Sequence, residues 1–184
     1  MTDEDMAAAA ALGIAETGIE GAWDSVVCST GWDRPSLGVS QWEGARADAL
    51  LGMIPGGGGY AGRPWSALSG ADRQALAALL GSDAGRAAQL ALLTEDTRRY
   101  VRLLGEIPAL GRPQCVVYSA MWCPTSEAVV CRFLRNRADR CDLGRLKAVH
   151  GLFRTEYADA ADVREYRAAY EARADRTYQY AAAL

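Results

Sequence analysis

A mainly α-helical fold with a small irregular or β insertion near its front is what this sequence predicts. Three observations carry that expectation. Apolar residues recur at helical spacing along most of the chain, cap and stop signals punctuate those stretches, and glycines, Pro35 and short β-branched pieces crowd residues 21–40. With 184 residues and 50% hydrophobic composition, the chain reads as a single domain over 1–184 that buries roughly two-thirds of its unfolded surface.

Seven or eight helices are expected in order. Thr2 with Asp3, Glu4 and Asp5 supplies a cap and an acidic first turn for a helix running through the alanines to about Gly18. From Gly21 to Ser40 the Val-Val and Leu-Gly-Val pieces predict loops with one short hairpin. Trp42, Ala45, Ala49, Leu50 and Met53 then mark a second helix, stopped by "PGGGG" at 55–59. That glycine run lacks the Gly-Lys-Ser/Thr ending of a phosphate-binding loop and reads as a flexible surface loop. Ser69 and Asp72 form a capping box ahead of "RQALAALL". Further helices are expected over 82–104, with Leu90, Leu93, Thr97, Val101 and Leu104 on one face, then over 113–122, 125–137, 142 to about 157, and from 159 onward. No repeat or linker divides the chain.

Charge and cysteine usage narrow the function classes. The net charge is −3, yet residues 1–60 hold nine acids against two bases while 132–184 hold eleven bases against eight acids. The carboxylates therefore gather around the irregular stretch, where they attract a cationic group or decorate a solvated face. The sequence pI of about 5.2 and the acids shared through the basic tail argue for an amphipathic closing helix over a nucleic-acid surface. Five cysteines (Cys28, Cys115, Cys123, Cys131, Cys141) without a CxxC pair argue against a zinc ribbon or a disulfide framework, so no metal and no cofactor are expected. No run of eighteen apolar residues encodes a spanning helix, and the opening lacks a secretory signal, which predicts synthesis in the cytoplasm and no stable membrane insertion. His150, the one histidine, falls on an apolar face with Leu146, Val149 and Phe153 and reads as structural, which disfavours a Ser-His-Asp or Cys-His peptidase.

Two motifs flank the irregular stretch and a third lies further along. "ETG" at 16–18 resembles the "ESG" that carries the catalytic glutamate of lytic transglycosylases and many phage endolysins. "SLGVSQW" at 36–42 resembles the Gly-x-x-Gln element that comes after it, in a variant ending Gln-Trp. "LLGSDAGRAAQLALLTEDTRRYV" at 79–101 resembles a helical segment of the phage-type proteins. Together these matches cover roughly residues 12 to 135 and give the chain a resemblance to the lysozyme-like superfamily, phage-type muramidases and lytic transglycosylases among them. That resemblance implies an α+β lysozyme-like domain and cleavage of the β-1,4 link between amino sugars of peptidoglycan. It also implies that the chain acts at the cell wall after release or delivery by another system, as a monomer whose partner is the glycan strand.

Such chemistry needs a proton for the leaving oxygen, and a carboxyl in a partly apolar site keeps one because its pKa is raised. Glu16 aligns with the motif as general acid, whereas Glu20, four residues on, lies outside it. Ser36, Gly38, Gln41 and Trp42 are the expected substrate contacts of the second element, joined by Trp32 and Tyr118. Trp23, Trp32 and Trp42 serve equally well as core residues. A lysozyme needs a second carboxylate, for which Asp24, Asp33 and Glu43 are candidates, while a lytic transglycosylase works with one glutamate and the substrate's own groups. The chain departs from the family where it reads "YSAMWCPTSEA" at 118–128, because the acid and the Asn-Gln-Gly-like turn expected there are missing.

Overall fold

The structure is a computed structural model that describes residues 1–29 and 31–184. It contains eight α-helices and one two-stranded sheet among the described residues, so the mainly α fold with a small β insertion is what the chain adopts. In order these are α1 (Asp3–Thr17), strands β1 (Val26–Cys28) and β2 (Pro35–Leu37), α2 (Gly44–Met53), α3 (Gly70–Gly81), α4 (Asp83–Gly105), α5 (Pro113–Ala120), α6 (Cys123–Arg135), α7 (Leu146–Ala160) and α8 (Arg167–Ala182). The residues form two compact units. One combines Met1–Ile19 with Thr94–Leu184, and the other is Glu20–Leu93.

In the first unit α1 begins at a reciprocal cap. The Thr2 hydroxyl accepts from the Asp5 N–H at 3.1 Å, and the Asp5 carboxylate accepts from the Thr2 N–H at 2.8 Å. The helix stops at Gly18, which takes the left-handed conformation (φ 58°) and donates its N–H to the Ile14 carbonyl. The buried face of α1 is built from Ala7, Ala10, Ala11 and Ile14. Such short side chains let α5 and α8 come close. Gly13 takes this furthest, since a Cβ there would lie 2.6 Å from the ring of Tyr180 on α8.

The core of this unit is aromatic. Phe153 lies 4.8 Å from Trp122, 5.0 Å from Phe133, 5.0 Å from Tyr157 and 5.5 Å from Tyr118, ring centroid to centroid. The buried Arg173 of α8 lays its guanidinium 4.3 Å from the Trp122 ring centroid and donates to the Thr125 hydroxyl and the Met121 carbonyl, each at 2.8 Å. Aromatic face and hydrogen bonds together replace the water this cation loses.

Three boundaries differ from the sequence-based expectation. Helix α6 starts at Cys123, with Pro124 in its first turn, and is interrupted at Ser126 (φ −173°, ψ 107°), whose hydroxyl accepts from the Val129 N–H and so caps the helix a second time. Helix α7 begins at Leu146 and not at Asp142, because the Asp142 carboxylate accepts from the Gly144 N–H and holds a turn there. The last helix starts at Arg167, after a break at Asp162 in the left-handed region (φ 57°).

In the second unit β1 and β2 pair antiparallel, with Val26 opposite Leu37 and Cys28 opposite Pro35. The expected cap of α3 is present, as the Ser69 hydroxyl accepts from the Asp72 N–H and the Asp72 carboxylate accepts from the Ser69 N–H. The glycine run leads into a 3-10 turn over Gly57–Tyr60, with Gly56, Gly58 and Gly59 on the surface and Gly57 turned inward. Gly57 is buried and donates to the Ile54 carbonyl at 2.8 Å, and any side chain on it would strike the backbone of Leu51.

In the helical core, Phe153→Ala should cost about 3–5 kcal/mol in denaturant unfolding, because four ring neighbours lose their partner. His150 is half-buried between Tyr118 and Tyr178, and desolvation holds its pKa below the ordinary 6.5, with Asp175 at 3.3 Å acting in the opposite sense. The unfolded chain therefore binds the extra proton first as pH falls through 6.5, so stability present above that pH is lost below it. Urea unfolding from about pH 8 to about pH 5, the span of ordinary histidine titration, should show that loss. His150→Gln should flatten the profile.

Candidate functional site

The Gly-x-x-Gln segment is held by a glutamine that lies outside it. Gln89 on α4 is 0% exposed. Its Oε1 accepts from the Val39 N–H at 3.0 Å, and its Nε2 donates to the carbonyls of Trp23 and Leu80, each at 2.9 Å. One carboxamide thus joins the short 3-10 turn Gly38–Ser40, the turn after Gly21 and the end of α3. Such a group is favourable only when fully bonded, and here both ends are.

Around it the segment closes on itself. Gln41 sits in the left-handed region (φ 52°), and its Nε2 donates to the Ser25 hydroxyl at 2.9 Å and the Gly38 carbonyl at 2.8 Å. The Ser36 hydroxyl donates to the Gln41 carbonyl at 3.0 Å, and Leu37 and Trp42 exchange backbone hydrogen bonds. Gly38 has φ 67°, and a Cβ on it would collide with Gln89 Oε1. A Cβ on Gly21 would meet Gln41 Nε2 and the Gly38 carbonyl, each at 2.5 Å.

These contacts change the reading of several expected substrate contacts. Ser36, Gly38 and Trp42 are buried, and the amide N–H groups of Gln41 are spent inside the segment, so these four residues shape the turn. Tyr118, expected to touch sugar, is wholly buried among Phe153, His150 and their neighbours in the aromatic core. Its neighbour Trp122 is equally enclosed. Trp32 differs, being 66% exposed on the connection between the strands, with the Arg34 guanidinium 5.8 Å from its ring centroid. Thr30, on the same connection, lies outside the described residues.

Glu16 occupies the last turn of α1, in the unit of Met1–Ile19 with Thr94–Leu184, while the 36–42 segment and Trp32 belong to the other unit. Its side chain is exposed, and not enclosed by apolar walls as the chemistry led us to expect, because the buried stripe of α1 occupies other positions. It shares its stripe with Leu12, one turn earlier and 42% exposed. Tyr180, whose hydroxyl donates to the Ala9 carbonyl at 2.8 Å, has its pKa raised by burial and, secondarily, by the Glu16 charge, which places that carboxylate near the phenol. Gly13 and Tyr180 together brace the turn that carries Glu16.

Glu20 is half-buried at the start of the other unit. Of the three candidate second acids, Asp33 is committed, since the Ser66 N–H and hydroxyl donate to its two oxygens at 2.8 and 2.6 Å and hold its pKa down. Asp24 and Glu43 are exposed, and Glu43, at the N-terminus of α2, makes no capping bond. Among the described residues no group of three or more His, Cys, Asp or Glu side chains could hold a metal ion. All five cysteines are free thiols, and burial pushes that of Cys115 up to about 11. Compared with models of protein families, with curated proteins and with solved structures, the chain matches none.

The buried amide gives a direct test of this local construction. Gln89→Leu keeps the volume but strands a buried N–H and two carbonyls, each at about 1–3 kcal/mol. Unfolding should show a loss of that order or more, and the Val39 amide should exchange with solvent much faster. An unchanged Val39 exchange rate would show that Gln89 does not hold the turn.

Proposed function

We propose that the chain is a peptidoglycan-cleaving glycosidase of phage or prophage type, cutting the β-1,4 bond between amino sugars with Glu16 as general acid. The observation that carries this reading is Glu16 itself. It is a carboxyl with no hydrogen bond or ion pair among the described residues, set in the last turn of α1 just before the left-handed Gly18; its exposure departs from the apolar enclosure that such an acid calls for. The order of elements supports it too: the acid ends a helix, an antiparallel hairpin succeeds it, and a tightly built Gly-x-x-Gln turn comes next.

In this reading Glu16 delivers its proton to the glycosidic oxygen as the bond to the anomeric carbon breaks, leaving an oxocarbenium-like sugar. Two completions exist. With a second carboxylate beside it, water enters and a reducing end forms, as in a lysozyme. Without one, the ionised Glu16 takes back a proton from the sugar's own hydroxyl, and an anhydro ring closes, as in a lytic transglycosylase. The exposed indole of Trp32 offers a flat apolar face for a sugar ring. Among the described residues no helix is long and apolar enough to cross a membrane. A catalytically inactive module that binds wall glycan or a protein partner is the second reading. It draws support from the commitment of Ser36, Gly38, Trp42 and Tyr118 to the fold, which leaves Trp32 as the expected aromatic contact presented to a ligand.

Purified protein incubated with peptidoglycan should release muropeptides, whose anhydro or reducing ends distinguish the two completions. Glu16→Gln removes the transferable proton while keeping size, so release should fall by roughly 10²-fold or more with glycan binding retained. Glu20→Gln should keep most of the rate. Full activity in Glu16→Gln would sink the assignment of the acid, and binding without any release from the parent would favour the second reading.

A further inference from the structure

A separate cavity of about 330 Å³ lies within the unit of Glu20–Leu93, between β2, the start of α2 and the 62–64 turn. That volume is at the small end of the range for small-molecule sites. Four charged side chains line it, and two of them are already satisfied. Asp33 is held by Ser66, and Arg63 donates to both oxygens of Asp72 and to the Ala67 carbonyl.

The other two are not. The guanidinium of Arg34, an exposed residue, makes no hydrogen bond or ion pair among the described residues; it lies 5.8 Å from the Trp32 ring centroid and beside Gly44. Asp48 spends one oxygen on the Gly62 N–H at 2.7 Å, and its second oxygen takes no hydrogen bond. A guanidinium and a carboxylate that line one cavity without pairing stand further apart than an ion pair allows. Opposite charges left in that state suit a ligand that carries both charges itself, carboxylate toward Arg34 and ammonium toward Asp48. A simple anion would meet the two aspartates, and a simple cation would meet the two arginines. Leu51 and Pro35 supply an apolar wall for a short aliphatic stem.

We infer that this cavity binds the zwitterionic α-amino-carboxylate head of an amino acid, presented by a diamino acid in the stem peptide of the cell wall. The assignment to the wall rests on the proposed function, whereas the zwitterion chemistry rests on the cavity alone. A bound stem peptide would hold the glycan strand beside the exposed ring of Trp32, which neighbours Arg34 in space.

The test measures binding of diaminopimelic acid, its N-acetylated and its methyl-ester derivatives, and a diaminopimelate-containing muropeptide, by titration calorimetry and amide shifts on the full chain. The free head should bind and perturb Asp48 and Gly62. Blocking either charge, or introducing Arg34→Gln or Asp48→Asn, should weaken binding roughly tenfold or more. Asp48→Asn retains the acceptor for the Gly62 N–H and the Arg34 side chain has no internal hydrogen bond, so both variants should fold, which their melting curves would establish. No binding at millimolar ligand by a folded parent, or equal affinity for the blocked derivatives, would overturn the proposal. Tighter binding of the muropeptide supports the wall source, and equal affinity for free alanine overturns that source. Glu16→Gln should bind the head unchanged, so a failed glycosidase assay and a failed cavity are read separately.

Discussion

The carboxamide of Gln89 is the constraint on which the front of the chain depends. A turn containing Gly38 and Gln41, both at positive φ, has few regular backbone partners, so its buried polar groups must be met from elsewhere. Gln89 meets the Val39 N–H and, with its other end, the carbonyls of Trp23 and Leu80. No apolar residue of that size can do so, and a glutamate would have an acceptor facing two carbonyls. Geometry at Gly38 and Gly21 is set by the same amide and its neighbour Gln41, because the space a Cβ would need is filled by them.

The other unit solves its polar problem by a different route. Arg173 is a buried cation, and the Trp122 face, the Thr125 hydroxyl and the Met121 carbonyl surround it. Those last two partners sit where α5 gives way to the broken start of α6. A helix junction with exposed carbonyls and a long cationic side chain thus satisfy one another, and the aromatic rings stacked about Phe153 exclude the water that would compete.

Much of the helical order was legible because it rests on local chemistry. The caps at Thr2 and Ser69, the stop at Gly18 and the hairpin pieces are encoded within a few residues of where they act, and periodicity located α2 and α4. What could not be read locally was long-range. Gln89 looks like any polar helical residue until Val39, fifty positions earlier, is brought to it. Tyr118 carries a hydroxyl suited to sugar, and nothing in its immediate sequence says that Phe153 and His150 enclose it. The glycine run gave no sign that Gly57 packs on Leu51, since composition marks freedom of the backbone and not its use. The starts of α7 and α8 were misplaced because Asp142 and Asp162 act as turn formers within otherwise helical runs.

The same division between local and long-range chemistry bears on what the motifs can mean. Of the residues that prompted the lysozyme-like resemblance, Gln41 commits its amide N–H groups to Ser25 and the Gly38 carbonyl, and Gln89 commits its carboxamide to the backbone of Val39, Trp23 and Leu80. A match at those positions reports the need to build a particular turn, and a protein without catalysis would need that turn just as much. Glu16 is under no such obligation, for an exposed carboxyl in the last turn of α1 stabilises nothing that an alanine would not. Indeed the C-terminal end of a helix disfavours a negative charge, so a glutamate at that position costs the fold a little. The proposed glycosidase chemistry therefore hinges on one side chain whose presence the fold itself does not explain.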